Sequence, residues 1–391
     1  MRLGIIFPGL PLGYDDAGYA TRASIFLWLE HLTRHFAVEM VCPVVERKIQ
    51  GHRLGGDIRI FPVPAWDSGL ELYSRQFPRV AAAIWRHFQA RAGAWDAVLI
   101  IDPDPLSQVA FAAACYYGVP RILYLRCNDS EEILARNQQG WRRLVAVAWC
   151  GWLEAAVPLM LKSSPGIVTG GELYRKYRPI QPRLLNFYSP SITSQLLRQA
   201  NSKAPRVKGG LLRLLMVGNL VAVKGFDLAI QAVKILRDRG IQATLEIVGE
   251  GPERDRLQQL AQALKVDGMV TFHGFKAFGE DLFALYRQAD LFLLSSFSEG
   301  TPKVVPEAFA FGLPVVASRV GGILDMVQDG VNGLLIEPGS AKELAAAIEK
   351  PARSPELLQR LSEGAAAAAP RFVLENQVDR LAEAIRAWAR P

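Results

Sequence analysis

Glu299 and Glu307, two carboxylates with seven residues between them, bracket the stretch Gly300-Thr301-Pro302-Lys303-Val304-Val305-Pro306. The apolar run ending at Leu294 predicts a strand before Glu299, and Val305–Phe311 predicts the helix that follows. Glu299 then sits just past a strand and Glu307 in the first turn of a helix. In an open parallel sheet, such a loop lies at the carboxyl edge of the strands, where ligands bind. Gly300 permits close backbone approach, and the amides of Thr301, Lys303, Val304 and Val305 can face a ligand. Pro302 and Pro306 carry no N–H, so they fix the turn and the helix start. Free amides at a helix N-terminus suit a diphosphate, and a carboxylate accepts from paired sugar hydroxyls. Taken singly, each Glu has a plainer reading: Glu307 complements a helix dipole and Glu299 is solvated.

Other loops of the same kind accompany the pair. Gly218-Asn219-Leu220 and Lys224-Gly225 follow the expected strand Leu212–Val217, Gly249-Glu250-Gly251 follows Ala243–Val248, and Gly274-Phe275 follows Val270–Phe272. Four successive Gly loops on one sheet edge read as a nucleotide-binding rim.

Those loops must be positioned by alternating strands and helices. In the second half, Asp227 is the expected cap of a helix running to Arg239. Further helices are expected near Glu253–Leu264, Asp281–Gln288 and Ala341–Ile348, and strands at Leu291–Leu294 and Pro314–Ala317. The first half repeats the theme with strands at Arg2–Phe7, Val38–Cys42, Ala97–Ile101 and Arg121–Leu125. Helices are expected at Val80–Ala92 and Leu106–Tyr117, and an apolar-periodic stretch covers about Tyr19–His35. The polar stretch from Gln199 to Gly210 breaks the pattern and reads as a linker. The expected domains are therefore residues 1–205 and 206–371, with 372–391 a final helix that can pack back on the first.

The 391 residues are 50% hydrophobic and 21% charged, which is a folded protein and neither a disordered tail nor a fibre. The formal net charge of +7 is uneven: residues 1–200 hold 22 Lys and Arg against 16 Asp and Glu, leaving a net of only +1 for the remainder. Anionic partners read through bulk charge should meet the first half. No motif or aromatic–basic interleaving points to nucleic acid. Cys42, Cys115, Cys127 and Cys150 are too scattered for a zinc site or a disulfide framework, so a reducing cytoplasm is the simpler expectation. The opening MRLGIIFPGLPLG reads as a strand and not as a leader. Leu144–Leu161 is apolar but interrupted by Glu154 and Pro158, too short and broken to span a bilayer; the Trp-rich stretch Trp141–Trp152 is expected to be a buried helix, a membrane-interface helix being the rival.

From Glu299 to Val315 the chain keeps the pattern Glu-Gly-x-Pro followed by Glu-Ala-x-Ala-x-Gly-x-Pro-Val, and continues with Val320-Gly321-Gly322 and Asp329-Gly330-x-Asn332-Gly333. This resembles the retaining nucleotide-sugar glycosyltransferases of family four, and the stretch Glu299-Gly300-Thr301-Pro302-Lys303 is similar to members that build exopolysaccharide or lipopolysaccharide. The resemblance covers nearly all of residues 213–350. It implies an α/β GT-B fold: two Rossmann-like, doubly wound domains facing a cleft, with the first on the acceptor side and the second holding the donor. It implies transfer of a hexose from a nucleoside diphosphate sugar, with retention, to a glycan or lipid-linked acceptor. The sugar nucleotide would be a co-substrate, with no cofactor and no metal.

By the same resemblance Glu307 would hold the donor ribose, Glu299 with Gly300, Thr301, Pro302, Lys303 and Val304 the transferred sugar, and Lys224 the diphosphate beside Gly218. Gly274 and Phe275 would lie near the base. Asn219 stands where the family has a phosphate-binding Arg. In the first domain Gly18 matches one glycine of a Gly-Gly loop, and Arg126-Cys127-Asn128-Asp129 stands where many members read His-Gly-x-Asp, so Asp129 is kept and the His is replaced by Arg126. Arg cannot act as a base but can bind an anionic group. The rival readings are a nucleotide-sugar epimerase and a non-catalytic sugar-nucleotide binding partner. The expected place is the cytoplasm, with peripheral contact to an anionic inner membrane face as the lipid version of the basic first half. Asp102-Pro103-Asp104 reads as a turn, not a metal motif, and Asn186 as structural.

Overall fold

A computed structural model describes residues 1–8, 12–15, 18–21, 27–48, 52–53, 55, 57–65, 76–102, 105–126, 140–200 and 210–389. The chain forms two compact units, Met1–Ser189 with Glu375–Pro391, and Pro190–Leu374.

The first unit holds the strands β1 (Arg2–Ile6), β2 (Leu12–Asp15), β3 (Gly18–Thr21), β4 (Ala37–Lys48), β5 (His52–Arg53), β6 (Ile58–Pro64), β7 (Ala97–Asp102), β8 (Arg121–Leu125), β9 (Gly166–Val168) and β10 (Leu184–Asn186). Its helices are α1 (Leu27–Leu32), α2 (Phe77–Arg91), α3 (Pro105–Tyr116), α4 (Gly140–Lys162) and α5 (Gly171–Tyr177). Strand order is β10-β9-β8-β7-β1-β4-β2-β3-β5, with β6 paired to β4. The central strands run parallel and are apolar on both faces because helices cover both. The expected strand at Arg121–Leu125 is β8 to the residue. The periodic stretch Tyr19–His35 is not one element: Gly18–Thr21 pairs antiparallel with β2, and only Leu27–Leu32 is helical.

The second unit holds α6 (Ser194–Ala200), β11 (Leu212–Val217), α7 (Phe226–Asp238), β12 (Ala243–Val248), α8 (Arg254–Ala263), β13 (Val270–Phe272), α9 (Glu280–Gln288), β14 (Leu291–Leu294), α10 (Val304–Ala310), β15 (Val315–Ser318), β16 (Gly333–Ile336), α11 (Ala341–Arg353) and α12 (Pro355–Ala368). All six strands are parallel, in the order β13-β12-β11-β14-β15-β16. Every residue of β14 and β15 is buried, which is why both read as unbroken apolar runs. Asp227 is not the cap of α7. Gly225 takes that place in a left-handed conformation, φ 65°, and Asp227 falls in the first turn, 4.0 Å from Arg256.

The two units meet at Ser189–Pro190, earlier in the chain than the polar stretch at 199–210, most of which lies outside the described residues. The reason is that α6 buries Leu196 and Ala200, and Ser191 just before it hydrogen-bonds Glu307 of the second unit. At the other end α13 (Leu374–Trp388) joins the first unit. Asp379 lies 2.9 Å from His35, the Arg386 guanidinium stacks on Phe36, and Gln377 accepts from the Tyr188 amide.

α4 departs from the expectation of a buried helix. Val147, Trp152 and Leu159 are all exposed, although Val157, Met160 and Leu161 on another face are buried. No described helix is long and apolar enough to cross a membrane.

Candidate functional site

In the second unit the chain builds β11, moves one way to β12 and β13, then returns past β11 to build β14, β15 and β16. The loops after β11 and β14 therefore leave their neighbouring strands in opposite directions, and a crevice opens between them at the carboxyl edge. Lys224 closes a short 3₁₀ turn after β11, and Glu299 lies in the loop after β14. Across the crevice, the Lys224 Nζ donates to both Glu299 oxygens at 2.8 Å. Ser296 Oγ donates to the same carboxylate at 2.6 Å. The Glu299 side chain is only 5% exposed and that of Lys224 27%, so the pair is sheltered and Lys224 keeps an open side.

The two loops are fastened to each other by their backbones. The Phe297 amide donates to Val223 O at 2.8 Å, and Ser295 Oγ donates to Gly225 O at 2.8 Å. At Gly225 a Cβ would fall 2.2 Å from Ser295 O, so both the left-handed backbone and the close approach demand glycine. A third loop, after β15, supports Glu299 from behind: the Gly322 amide donates to Gly300 O at 2.9 Å, and a Cβ on Gly321 would come within 1.8 Å of Glu299 O. The loops after β11, β12 and β13 are laced in the same way, with the Gly218 amide on Val248 O, the Leu220 amide on Glu250 O and the Gly249 amide on Gly274 O. Phe275 beyond them is 74% exposed. Asn219 is exposed on the same rim.

Glu307 is not in an open loop. It is 7% exposed in the first turn of α10, accepts from Ser191 Oγ on one oxygen, and accepts from the Tyr286 hydroxyl at 3.0 Å on the other. Burial pushes its pKa up, while the two hydroxyls and the nearby Lys303 charge pull it back. Burial and the Glu307 charge together hold the Tyr286 phenol well above its ordinary value. Burial lowers the Lys303 ammonium, with Glu307 opposing. The Val305 amide, expected to face a ligand, donates to Pro302 O at 3.3 Å inside the helix's first turn. Beside Gly300, by contrast, the Thr301 Oγ1 is buried without a hydrogen-bond partner, an unmet polar group of the kind a ligand hydroxyl satisfies.

In the first unit Gly18 opens β3 opposite Asp15. Arg126 follows β8 with its guanidinium 4.7 Å from the centre of the Phe7 ring, and its Nε is buried without a partner. Asp129 lies outside the described residues. Asn186 spans Gly170 N and the Tyr188 hydroxyl, a structural use. The described residues contain no cluster of three or more His, Cys, Asp or Glu able to hold a metal.

Ser191, Tyr286 and Ser296 were not foreseen as site residues. Gly225 and Gly321-Gly322 carried a signal in their types and places after strands, though not of which carbonyl they would press against.

Residues 198–368 match the family model described as glycosyl transferases group 1. The match takes in β11 to α12, and so the Lys224–Glu299 crevice and Glu307. Two curated relatives are a D-inositol 3-phosphate glycosyltransferase of Saccharomonospora viridis, 32% identical over 56% of this chain and 53% of that one, and the lipopolysaccharide core biosynthesis glycosyltransferase LpsE of Rhizobium meliloti, 37% identical over 38% and 42%. The chain spans about half the length of the curated relatives it matches. Among solved structures, Anabaena Alr3699/HepE in complex with UDP superposes with a TM-score of 0.69 at 18% identity, covering 99% of this chain and 100% of the other. The fold is GT-B.

Proposed function

We propose that this protein is a retaining glycosyltransferase that moves a hexose from a nucleoside diphosphate sugar to a glycan or lipid-linked acceptor in cell-surface polysaccharide synthesis. The observation that carries the reading is the Lys224–Glu299 pair at the sheet's switch point, framed by glycine-tight loops. An ammonium there meets a diphosphate as charge builds on the leaving group, and preorganised charge in a sheltered site is an effective way to stabilise it. Glu299, held by Ser296 and Lys224, accepts from sugar hydroxyls, and Thr301 Oγ1 supplies a further polar contact. Glu307, oriented by Ser191 and Tyr286, retains lone pairs for the ribose. The first unit takes the acceptor, with Arg126 as an anion contact. The relatives named for lipopolysaccharide and sugar transfer support the substrate class, and HepE with UDP supports the donor class. A cytoplasmic location fits the four scattered cysteines.

One feature favours a second reading, a sugar-nucleotide binder without transfer: Asn219 brings no charge to the rim, where Arg would. A thermal-shift panel of UDP-, GDP- and ADP-sugars, followed by assay of nucleoside diphosphate release, separates the two. Transfer requires both a raised melting temperature and turnover with the same donor. A stabilising donor that is never turned over leaves the binder.

A further inference from the structure

The sheet of the second unit ends on β16, whose sequence Gly333-Leu334-Leu335-Ile336 holds neither a charged residue nor a proline. It is laddered to one strand, β15, in parallel register. The Val315 amide donates to Asn332 O at 3.4 Å and the Arg319 amide to Ile336 O at 2.8 Å, so the even-numbered backbone groups of this stretch face β15. The backbone groups of Gly333 and Leu335 and the Glu337 amide therefore point away from the sheet. A bare apolar edge of this kind is a template for another strand. Beside it lies an open cavity of about 280 Å³, lined in part by Arg319, Asp329, Leu335, Glu337, Glu343 and Lys350.

Three of the outward groups are met by the chain itself. The Gly330 amide donates to Gly333 O at 2.8 Å, the Leu335 amide to Asp329 Oδ1 at 2.9 Å, and the Glu337 amide to Glu343 Oε2 at 3.2 Å. Arg319 Nη2 donates to Asp329 Oδ2 at 2.7 Å, which holds that carboxylate with its other oxygen on the strand. Glu343 is diverted to the same task. It is the third residue of α11, and the cap Ser340 accepts from its amide at 3.2 Å. In the reciprocal form of this cap the glutamate reaches back to the cap amide; here its carboxylate reaches past Ser340 to Glu337.

We infer that β16 is a strand-pairing edge held shut by Asp329 and Glu343, and that the partner they exclude is β16 of a second copy of the chain. Two identical edges pair antiparallel about a two-fold axis through Leu335, whose outward N–H and C=O then meet the same groups of the other copy. In that register Glu337 stands opposite Gly333, so no like charges meet across the pair. A carboxylate already bonded to the Leu335 amide occupies the place the second strand needs. Nothing in this depends on the sugar chemistry.

Light scattering on the full chain after size exclusion, over a concentration series and with a melting curve for each variant, tests the assignment. Asp329→Ala/Glu343→Ala removes both caps and should double the wild-type mass at about 100 μM, because a two-fold pairing closes on itself. Asp329→Asn/Glu343→Gln keeps an oxygen for each amide and should keep the wild-type mass. Adding Leu335→Pro to the alanine pair removes the central N–H and should restore the wild-type mass, since an edge strand tolerates proline where its N–H faces outward. Leu335→Lys in the same background sets like charges together at the axis and should restore it as well. An alanine pair that keeps the wild-type mass overturns the inference, as does an amide pair that associates like the alanine pair. Association that survives both Leu335 variants, or grows with them as it would if it followed from unfolding, overturns it too.

Discussion

Lys224 and Glu299 are separated by 75 positions in the chain, yet the ammonium donates to both carboxylate oxygens at the same 2.8 Å. The pair holds each side chain where the opening between β11 and β14 needs it, so little ordering remains when a donor arrives. Under the proposed function, a diphosphate would share Lys224 with Glu299.

Removing the ammonium should therefore be felt by the diphosphate and not by the rest of the nucleotide. Lys224→Ala is expected to weaken binding of a nucleoside diphosphate about tenfold or more, the order of one charge-assisted hydrogen bond, and binding of the parent nucleoside hardly at all. Calorimetric titration of the two ligands checks this. Equal losses for both would place the phosphates elsewhere.

Gly225 tests the fastening of the two loops. Gly225→Ala combines a left-handed backbone with a Cβ 2.2 Å from Ser295 O, so destabilisation of at least about 1–3 kcal/mol is expected in denaturant unfolding, together with weaker donor binding. Gly240, also left-handed, has nothing within 4 Å of an added Cβ, and Gly240→Ala should cost less.

The hydroxyls around Glu307 make a third case. Tyr286→Phe and Ser191→Ala each leave one buried carboxylate oxygen without its present donor, an expected loss of about 1–3 kcal/mol apiece. Urea unfolding of the singles and the double variant should show non-additivity, because both hydroxyls serve one carboxylate. Two small additive effects would mean that Glu307 does not depend on them.

Asp290 gives the second unit a pH signature. It is 4% exposed at the start of β14, accepts from the Arg213 amide at 2.8 Å, and burial raises its pKa to about 6. The unfolded value is about 3.9, so the folded state holds the proton more tightly. Its contribution is complete below pH 4 and lost as pH rises through 6. Asp290→Asn should abolish that loss, on the order of 1–3 kcal/mol, in the difference between unfolding free energies at pH 4 and pH 7. An unchanged pH profile would refute the assignment.

Where strands are buried on both faces, the chain was easy to read. Leu291–Leu294 is an unbroken apolar run and the strand coincides with it, while Leu212–Val217, Ala243–Val248 and Val270–Phe272, which carry Arg213, Thr244, Glu246 and Thr271 at less buried places, were legible from apolar residues alternating with these and from the glycine loops that follow. Glu299 was legible because its loop carries glycine and proline in a fixed pattern. Its partnership with Lys224 was not, since nothing local measures a distance across 75 positions. Asp227 looked like the cap of α7 because its side chain suits that role, but the contact with Ser295 reserves the place for Gly225. Ser191 and Tyr286 belong to no pattern; only tertiary folding turns them toward Glu307. In α4 apolar residues occur on opposite sides, so periodicity could not say which side meets the core and which meets solvent.

The central claim is that Glu299 acts on the transferred sugar at the Lys224 crevice, and the rate of nucleoside diphosphate release from the stabilising donor sugar measures it most directly. Glu299→Ala is expected to lower that rate by about 10²–10³, the scale of losing one preorganised contact to the reacting group, while the free nucleoside diphosphate still binds. A Glu299→Ala enzyme that turns over its donor at the wild-type rate would contradict the account.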